Sequence, residues 1–443
     1  ENWSTAAETA TFTMRWPRLW LSAVRGWAGL APERRQREFL WAGDYELTLS
    51  GGAGRWGRDL RLNGLELHGT SRGGELFETG GADLGVTVAE IADGPLRLSE
   101  GRVQATLGLS GGVVQGGFSV PALTVQPAFA QTFRWDDALV ADGTFGFDPV
   151  VLTGDEPWSQ WWSGLEGGKF TGGIGFRGRT HFAAGKWSTS AEVLLKDFGV
   201  AWPAQSIALE RIDGTVGLAN LAALRSEPDQ RLTLGRADLS GVALCNTALT
   251  FSLDGPGRVR VAEFTTEAFG GRLTTEAFAF DPRRPAPALK LRVAGARLEQ
   301  LLQLFDDVPA EAEGLVDGEL PLAWADGKLT MGTGFFQLTA GELGRVRFTR
   351  DLHLLTSGRS PNSLGYASIL EVERSIQTLL FNRLRIDTYP TDAPGQSLRL
   401  RLVGTPAGGT VSTPVNLDVN VNAPLEHFLN WGRHPGPAAE PAR

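Results

Sequence analysis

From about Asp44 to Pro361 the chain alternates apolar and polar residues with a period of two. Leu60, Leu62, Leu65 and Leu67 interleave with Arg61, Glu66 and His68. Val103, Ala105, Leu107 and Leu109 interleave with Gln104 and Thr106, and Leu289, Leu291 and Val293 with Lys290 and Arg292. Period two predicts β-strands, each with one wet face and one apolar face. Long runs apolar on both faces, as a parallel sheet buried on both sides would need, are absent.

Turn signals separate the runs. Asp-Gly recurs at Asp93-Gly94, Asp142-Gly143, Asp213-Gly214, Asp317-Gly318 and Asp326-Gly327. It supplies the positive φ angles of a tight hairpin, so each is expected to be a turn. A second form places glycine between apolar triplets: Leu62-Asn63-Gly64-Leu65-Glu66-Leu67, Leu239-Ser240-Gly241-Val242-Ala243-Leu244 and Val293-Ala294-Gly295-Ala296-Arg297-Leu298. A two-residue hairpin or a glycine bulge would equally keep the apolar residues on one face. At about 12 residues per strand and turn, the region holds roughly 25 strands.

Helices are expected at a few places. Trp16, Leu19, Trp20, Ala23, Val24 and Trp27 fall at helical spacing before Pro32, which predicts an N-terminal helical segment over 1–45. The repeated strands follow over 46–362. Within them Leu298, Leu301, Leu302 and Phe305 predict a short helix ended by Pro309. Ile369, Val372, Ile376, Leu379 and Leu380 predict an amphipathic helix over 363–384. Strands resume over 385–432, at Leu398–Val403 and Val415–Val421, and Leu425, Phe428 and Leu429 suggest a last short helix. Residues 433–443 are rich in Pro and Ala and are expected to be a disordered tail.

An open sheet with an apolar face must cover it. A sandwich uses a second sheet and a barrel uses itself. So many similar strands with so few helices suit a third solution, a long curved antiparallel or mixed sheet forming an open apolar groove. Lipid acyl chains would fill such a groove, at about 0.8 kcal/mol per buried methylene. The candidate lining residues are Leu60, Leu62, Leu65, Leu67, Val103, Leu107, Leu109, Phe145, Phe147, Leu239, Val242, Leu244, Leu289, Leu291, Val293, Leu398, Leu400, Leu402, Leu417 and Val419.

Composition narrows the function classes. The 57 glycines follow no three-residue period, which excludes collagen. A net charge of -8 disfavours nucleic acid, which asks for a basic stripe. The single cysteine, Cys245, allows no intrachain disulfide and no CxxC site, and a buried inert thiol is expected. No two of the five histidines are close enough in sequence to suggest a metal pair, and HExxH, GxSxG, P-loop and dinucleotide motifs are absent. No metal or cofactor is expected, and the chain reads as something other than an enzyme. Trp158, Trp161 and Trp162 could plug the end of the sheet, sit at a lipid–water boundary or form a carbohydrate platform. No apolar run of about 18 residues is present. The first residue is Glu1 rather than Met, so any membrane anchor is expected outside this chain.

Part of the chain has a familiar order of motifs. Phe269-Gly270-Gly271-Arg272-Leu273, Phe280-Asp281-Pro282, the strand Leu289 to Gly295 and a Leu-rich helix resemble the recurring unit of AsmA-like proteins. The stretch Gly314 to Leu322, then Asp326-Gly327-Lys328-Leu329 and Gly341-Glu342-Leu343-Gly344, is similar to the YdbH-like branch. Leu379-Leu380-Phe381-Asn382-Arg383-Leu384 and Val415 to Asn420 fit the same ending, so the resemblance covers about 265–430. It implies a periplasmic segment of a bridge that carries phospholipid between the inner and outer membranes of a Gram-negative cell. It also implies an outer-membrane lipoprotein partner, joined by strand addition at the C-terminal end. Two other readings compete: an assembly scaffold binding polypeptide strands of envelope proteins, and a carbohydrate-binding β-solenoid.

Overall fold

The computed structural model describes residues 11–19, 43–56, 60–72, 81–93, 96–108, 110–135, 138–156, 166–239, 242–255, 257–281, 288–302, 310–325, 328–349, 360, 362–389, 398–407 and 413–421. The fold is mainly β, with 26 strands among these residues, and every recorded pairing register is antiparallel. The mixed pairing that the sequence left open is not found among them. The chain divides into two compact units, 1–202 with 213–227 and 203–212 with 228–443.

The first unit is a meander. Its strands are β1 (Thr11–Leu19), β2 (Gly43–Trp56), β3 (Leu60–Arg72), β4 (Gly81–Asp93), β5 (Leu96–Gly108), β6 (Gly111–Ser119), β7 (Ala128–Arg134), β8 (Val140–Thr153), β9 (Lys169–Ala183) and β10 (Lys186–Trp202). Each pairs with the next, and among the described residues no recorded register joins β1 to β10, so this run stays open. The N-terminal helix is corrected in part: Trp16 and Leu19 belong to β1, and Trp20 to Trp27 lie outside the described residues.

The strands are long, at up to 17 residues, and strict alternation over that length would twist the apolar side chains away from one face. A phase slip in mid-strand resets it. On β3 the inward residues step from Leu62 to Leu65, on β4 from Val88 to Ile91, and on β5 from Leu98 to the buried Gly101. The three strands slip side by side, so Leu62↔Ile91 and Leu65↔Val88 both remain in register. Gly64 and Glu100 carry the slip with φ near +61° and +53°. A side chain at Gly64 would also bring its Cβ to 2.7 Å from that of Ala89. Bulges recur between β8 and β9 and between β9 and β10, where Asp197 has φ +48°.

The second unit contains β13 (Gln230–Leu239), β14 (Val242–Leu253), β15 (Val259–Ala268), β16 (Gly271–Thr275), β18 (Ala288–Arg297), β19 (Ala310–Glu313), β20 (Leu315–Ala325), β22 (Gly334–Leu338), β23 (Gly344–Phe348), β24 (Thr378–Thr388), β25 (Leu398–Pro406) and β26 (Val415–Val421), with β17 (Phe278–Phe280) and β21 (Lys328–Met331) as short additions. β24 divides its length between two neighbours. Its end, Arg385 to Thr388, pairs with β22, and its start, Thr378 to Phe381, pairs with β23. β23 in turn pairs with β19, so the sheet forks. The helices are α1 (Leu298–Leu302) and α2 (Tyr366–Ser375). The amphipathic helix expected over 363–384 is therefore shorter, and Leu379 to Leu384 belong to β24. Its apolar positions satisfied a helical and a strand pattern alike, and the pairing to β23 and β25 settles the choice. Leu425, Phe428, Leu429 and the 433–443 tail lie outside the described residues.

Three of the five Asp-Gly pairs are corrected. Asp142-Gly143, Asp213-Gly214 and Asp317-Gly318 sit inside strands, the second of them in the strand Ile207–Asn220. For the other two Asp-Gly pairs, the flanking registers Asp93↔Leu96 and Ala325↔Lys328 are those of two-residue hairpins. Two of the mid-strand aspartates, Asp213 and Asp317, serve bulges instead. Asp213 Oδ1 accepts the Asp197 N–H at 2.8 Å, and Asp317 Oδ1 accepts the Gly295 N–H at 2.8 Å. Both forms of the glycine motif are realised: Gly64 and Gly295 are bulges, while Leu239↔Val242 closes a hairpin.

Removing such a carboxylate leaves a bulge N–H without its acceptor. Asp317→Ala should cost about 1–2 kcal/mol. Hydrogen exchange at the Gly295 amide should accelerate beyond the change at neighbouring amides; an unaltered rate would show that Asp317 does not hold the bulge.

Candidate functional site

In the first unit, one face collects the apolar side chains in rows across the strands. One row runs Leu67, Val86, Val103, Gly116, Phe129, Phe145, Gly178 and Ala191. The next toward the bulges holds Phe147, Phe176 and Val193. On the other side lies Val114, Gln131, Gly143 and Thr180, where Thr180 Oγ1 donates to Gln131 Oε1 at 2.6 Å. Of these side chains, Leu67, Val86, Val103, Phe129, Phe145, Phe147, Phe176 and Val193 are only half-buried. A sheet face under a second protein layer would be buried; among the described residues the strands shield only the flanks of their own side chains. The fully buried hydrophobics of these strands are mostly alanines, Ala82, Ala92, Ala105, Ala141 and Ala191, lying between larger neighbours.

The opposite face is polar. Asn63 Nδ2 donates to Glu90, whose carboxylate also takes Arg97, and Thr106 Oγ1 donates to Asp83 at 2.8 Å. Arg97 first, then Asn63, holds the Glu90 carboxyl below its ordinary range. His181 and Asp142 pair at 2.7 Å across β9 and β8. Among the described residues no group of three or more His, Cys, Asp and Glu could hold a metal ion, and no helix is long and apolar enough to cross a membrane.

The apolar face of the second unit has a different fate. Ala268, Leu273, Val293, Ala296, Leu298, Ala312, Val316, Leu338, Val346, Ile376, Leu379, Phe381, Leu384 and Leu402 form a packed core. It joins β15, β16, β18, β20, β22, β24 and β25 to the branch β19–β23, to α1 and to Ile376 just past α2. Here the fork supplies the cover. The outer face carries charge pairs: Lys290 with Glu319, Arg292 with Glu276 and Glu319, Arg385 and Arg401 with Asp387, and a two-pronged pair of Arg399 with Asp418 at 2.6 and 2.9 Å. Arg399 holds the Asp418 carboxyl below its usual range. Burial raises the Asp387 carboxyl, but Arg401 and Arg385 outweigh it and the net shift is downward.

A protein-family model described as "YdbH-like: Intermembrane phospholipid transport protein YdbH" matches residues 1–367. The chain belongs to the YdbH-like family. The match reaches the first residue and ends within α2, whereas the motif resemblance was strongest over 265–430. No curated protein and no solved structure is detectably similar to the chain.

The expected lining residues divide between the two fates. Leu62, Leu65, Leu67, Val103, Leu107, Phe145 and Phe147 are half-buried in the first unit. Leu60 pairs with Asp93, and Leu109 lies outside the described residues. In the second unit Leu239 pairs with Val242, which is buried. Val293 and Leu402 are corrected: they are core residues and line no open face. Leu244, Leu291, Leu400 and Leu417 pack against that core, Leu289 and Leu398 are half-buried, and Val419 is 42% exposed on the last strand. The selection missed Leu84, Val86 and Val88 on β4 and Phe129 and Phe133 on β7, although both runs alternate plainly. Trp158 to Trp162 lie outside the described residues.

Two outcomes test this division. Val293→Asp should destabilise the second unit by roughly 3–5 kcal/mol, since it buries an unpaired charge, and urea unfolding would read the loss. The depressed Asp418 and Asp387 carboxyls stabilise the fold above the unfolded aspartate value of about 3.9 and lose that contribution as pH falls through their folded values. Arg399→Gln should therefore narrow the difference in urea midpoint between neutral pH and pH about 3, by a small amount because the pair is exposed.

Proposed function

We propose that the apolar face of the first unit carries phospholipid acyl chains, and that the chain is a periplasmic segment of a bridge between the inner and outer membranes. One observation carries this reading. In a family described by intermembrane phospholipid transport, rows of Leu, Val and Phe across β2 to β10 are half-exposed and, among the described residues, have no packed core of their own. Each methylene placed on them gains about 0.8 kcal/mol, so several together favour entry. No side chain needs to read the head group for that gain. Nothing in the reading asks for a catalytic group, so the chain acts as a conduit rather than an enzyme.

Among the described residues β26 has one recorded neighbour, β25. Its second edge suits addition of a strand from an outer-membrane lipoprotein. The scaffold reading would place polypeptide on the same face.

Lipid mass spectrometry of the gently purified protein separates these readings: phospholipid should copurify, and bound peptides without lipid would favour the scaffold. Leu107→Asp should reduce the bound lipid strongly while Thr106→Asp, on the opposite face, should not, because a charge on an apolar path costs a few kcal/mol. Equal lipid content in the two variants would remove this face from the route.

A further inference from the structure

The apolar face changes character along the first unit. Across β3 to β5 it is built from Leu, Val, Ile and Ala; across β7 to β9 it is built from Phe129, Phe133, Phe145, Phe147, Phe176 and Phe182. Rings standing upright on a pleated sheet would fill the space above it. Glycines prevent this. Phe129 and Phe145 are paired in one row, with Gly116 beyond the first and Gly178 beyond the second. A Cβ at Gly116 would come within 2.8 Å of the Phe129 ring, and also into the Arg102 carbonyl. At Gly178 the three nearest atoms to such a Cβ all belong to the Phe145 ring. The ring therefore lies down over the bare backbone of its neighbour. Phe145 continues to Phe176, with centroids 5.6 Å apart, and Phe176 stacks on Phe147 at 6.1 Å.

Gly178 does not need its glycine for a left-handed backbone, because its φ is not positive. It sits within β9 rather than at a turn, paired to Phe145 on one side and Ala191 on the other. Mid-strand glycine weakens a sheet, so its value here lies in the space it leaves.

We infer that Gly178 and Phe145 form a seat that sets the clearance above this aromatic section, and so determine whether an acyl chain can occupy it. This rests on the lipid reading of the face. A side chain at 178 lifts the Phe145 ring into the lane, whereas shortening residue 145 removes the obstruction.

The test uses the full-length protein in cells whose phospholipids are labelled with radioactive phosphate. A photo-crosslinking p-benzoylphenylalanine replaces Val193, beside the seat, or Leu67, remote from it on β3. With the seat intact, both positions should form lipid adducts. Gly178→Val should lose the adduct at position 193 and keep that at 67. Adding Phe145→Ala to Gly178→Val should restore the adduct at 193. An adduct at 193 that survives Gly178→Val, a loss at both positions in that variant, or a double variant that stays silent at 193 would each overturn the seat. Absence of adducts at both positions with Gly178 and Phe145 in place would instead overturn the lipid reading.

Discussion

Long strands in a one-faced sheet must return their apolar side chains to the same side after every few residues of twist. That constraint organises the molecule. Matched phase slips on β3, β4 and β5 keep pairing intact while moving the apolar set by one position. Where the slip frees a backbone N–H, a carboxylate on the next strand takes it, as Asp213 does for Asp197 and Asp317 for Gly295. At the part-buried Gly295 the hydrogen bond matters more for what it avoids than for what it adds, since a donor shielded from water and left unpaired is costly.

Glycine serves the same constraint from the other side. At Gly64 and Gly295 it accepts the positive φ of a bulge. At Gly178 it makes room for a ring, and Gly344 does the same for Phe381. The Gly344 seat lies under a packed core, whereas among the described residues no such core covers the Gly178 seat. The same local device thus serves dense packing in one unit and a smooth open surface in the other.

The two apolar faces differ because of one topological event. β24 pairs with both β22 and β23, and the second branch brings Ala312 and Val346 against Val293, Val316 and Leu379. Burial by protein removes those positions from contact with lipid. In the first unit the described strands follow one another without a fork, and the Leu, Val and Phe rows stay half-exposed among the described residues.

The period-two pattern determined by itself that the chain is mainly β, roughly how many strands it has, and which side chains share a face, because the pleat makes that geometry local. It also placed Leu62, Leu65, Leu67, Leu107 and Phe145 on a shared apolar face. It could not separate an Asp-Gly hairpin from an Asp-Gly within a strand, because the partner of Asp213 or Asp317 lies on another strand. The helical spacing of Ile376, Leu379 and Leu380 hid a strand for the same reason. Whether an apolar residue meets protein or an open surface depends on which strand comes to lie above it. Val293 and Leu107 look alike in sequence, and only the fork that covers one of them decides their roles.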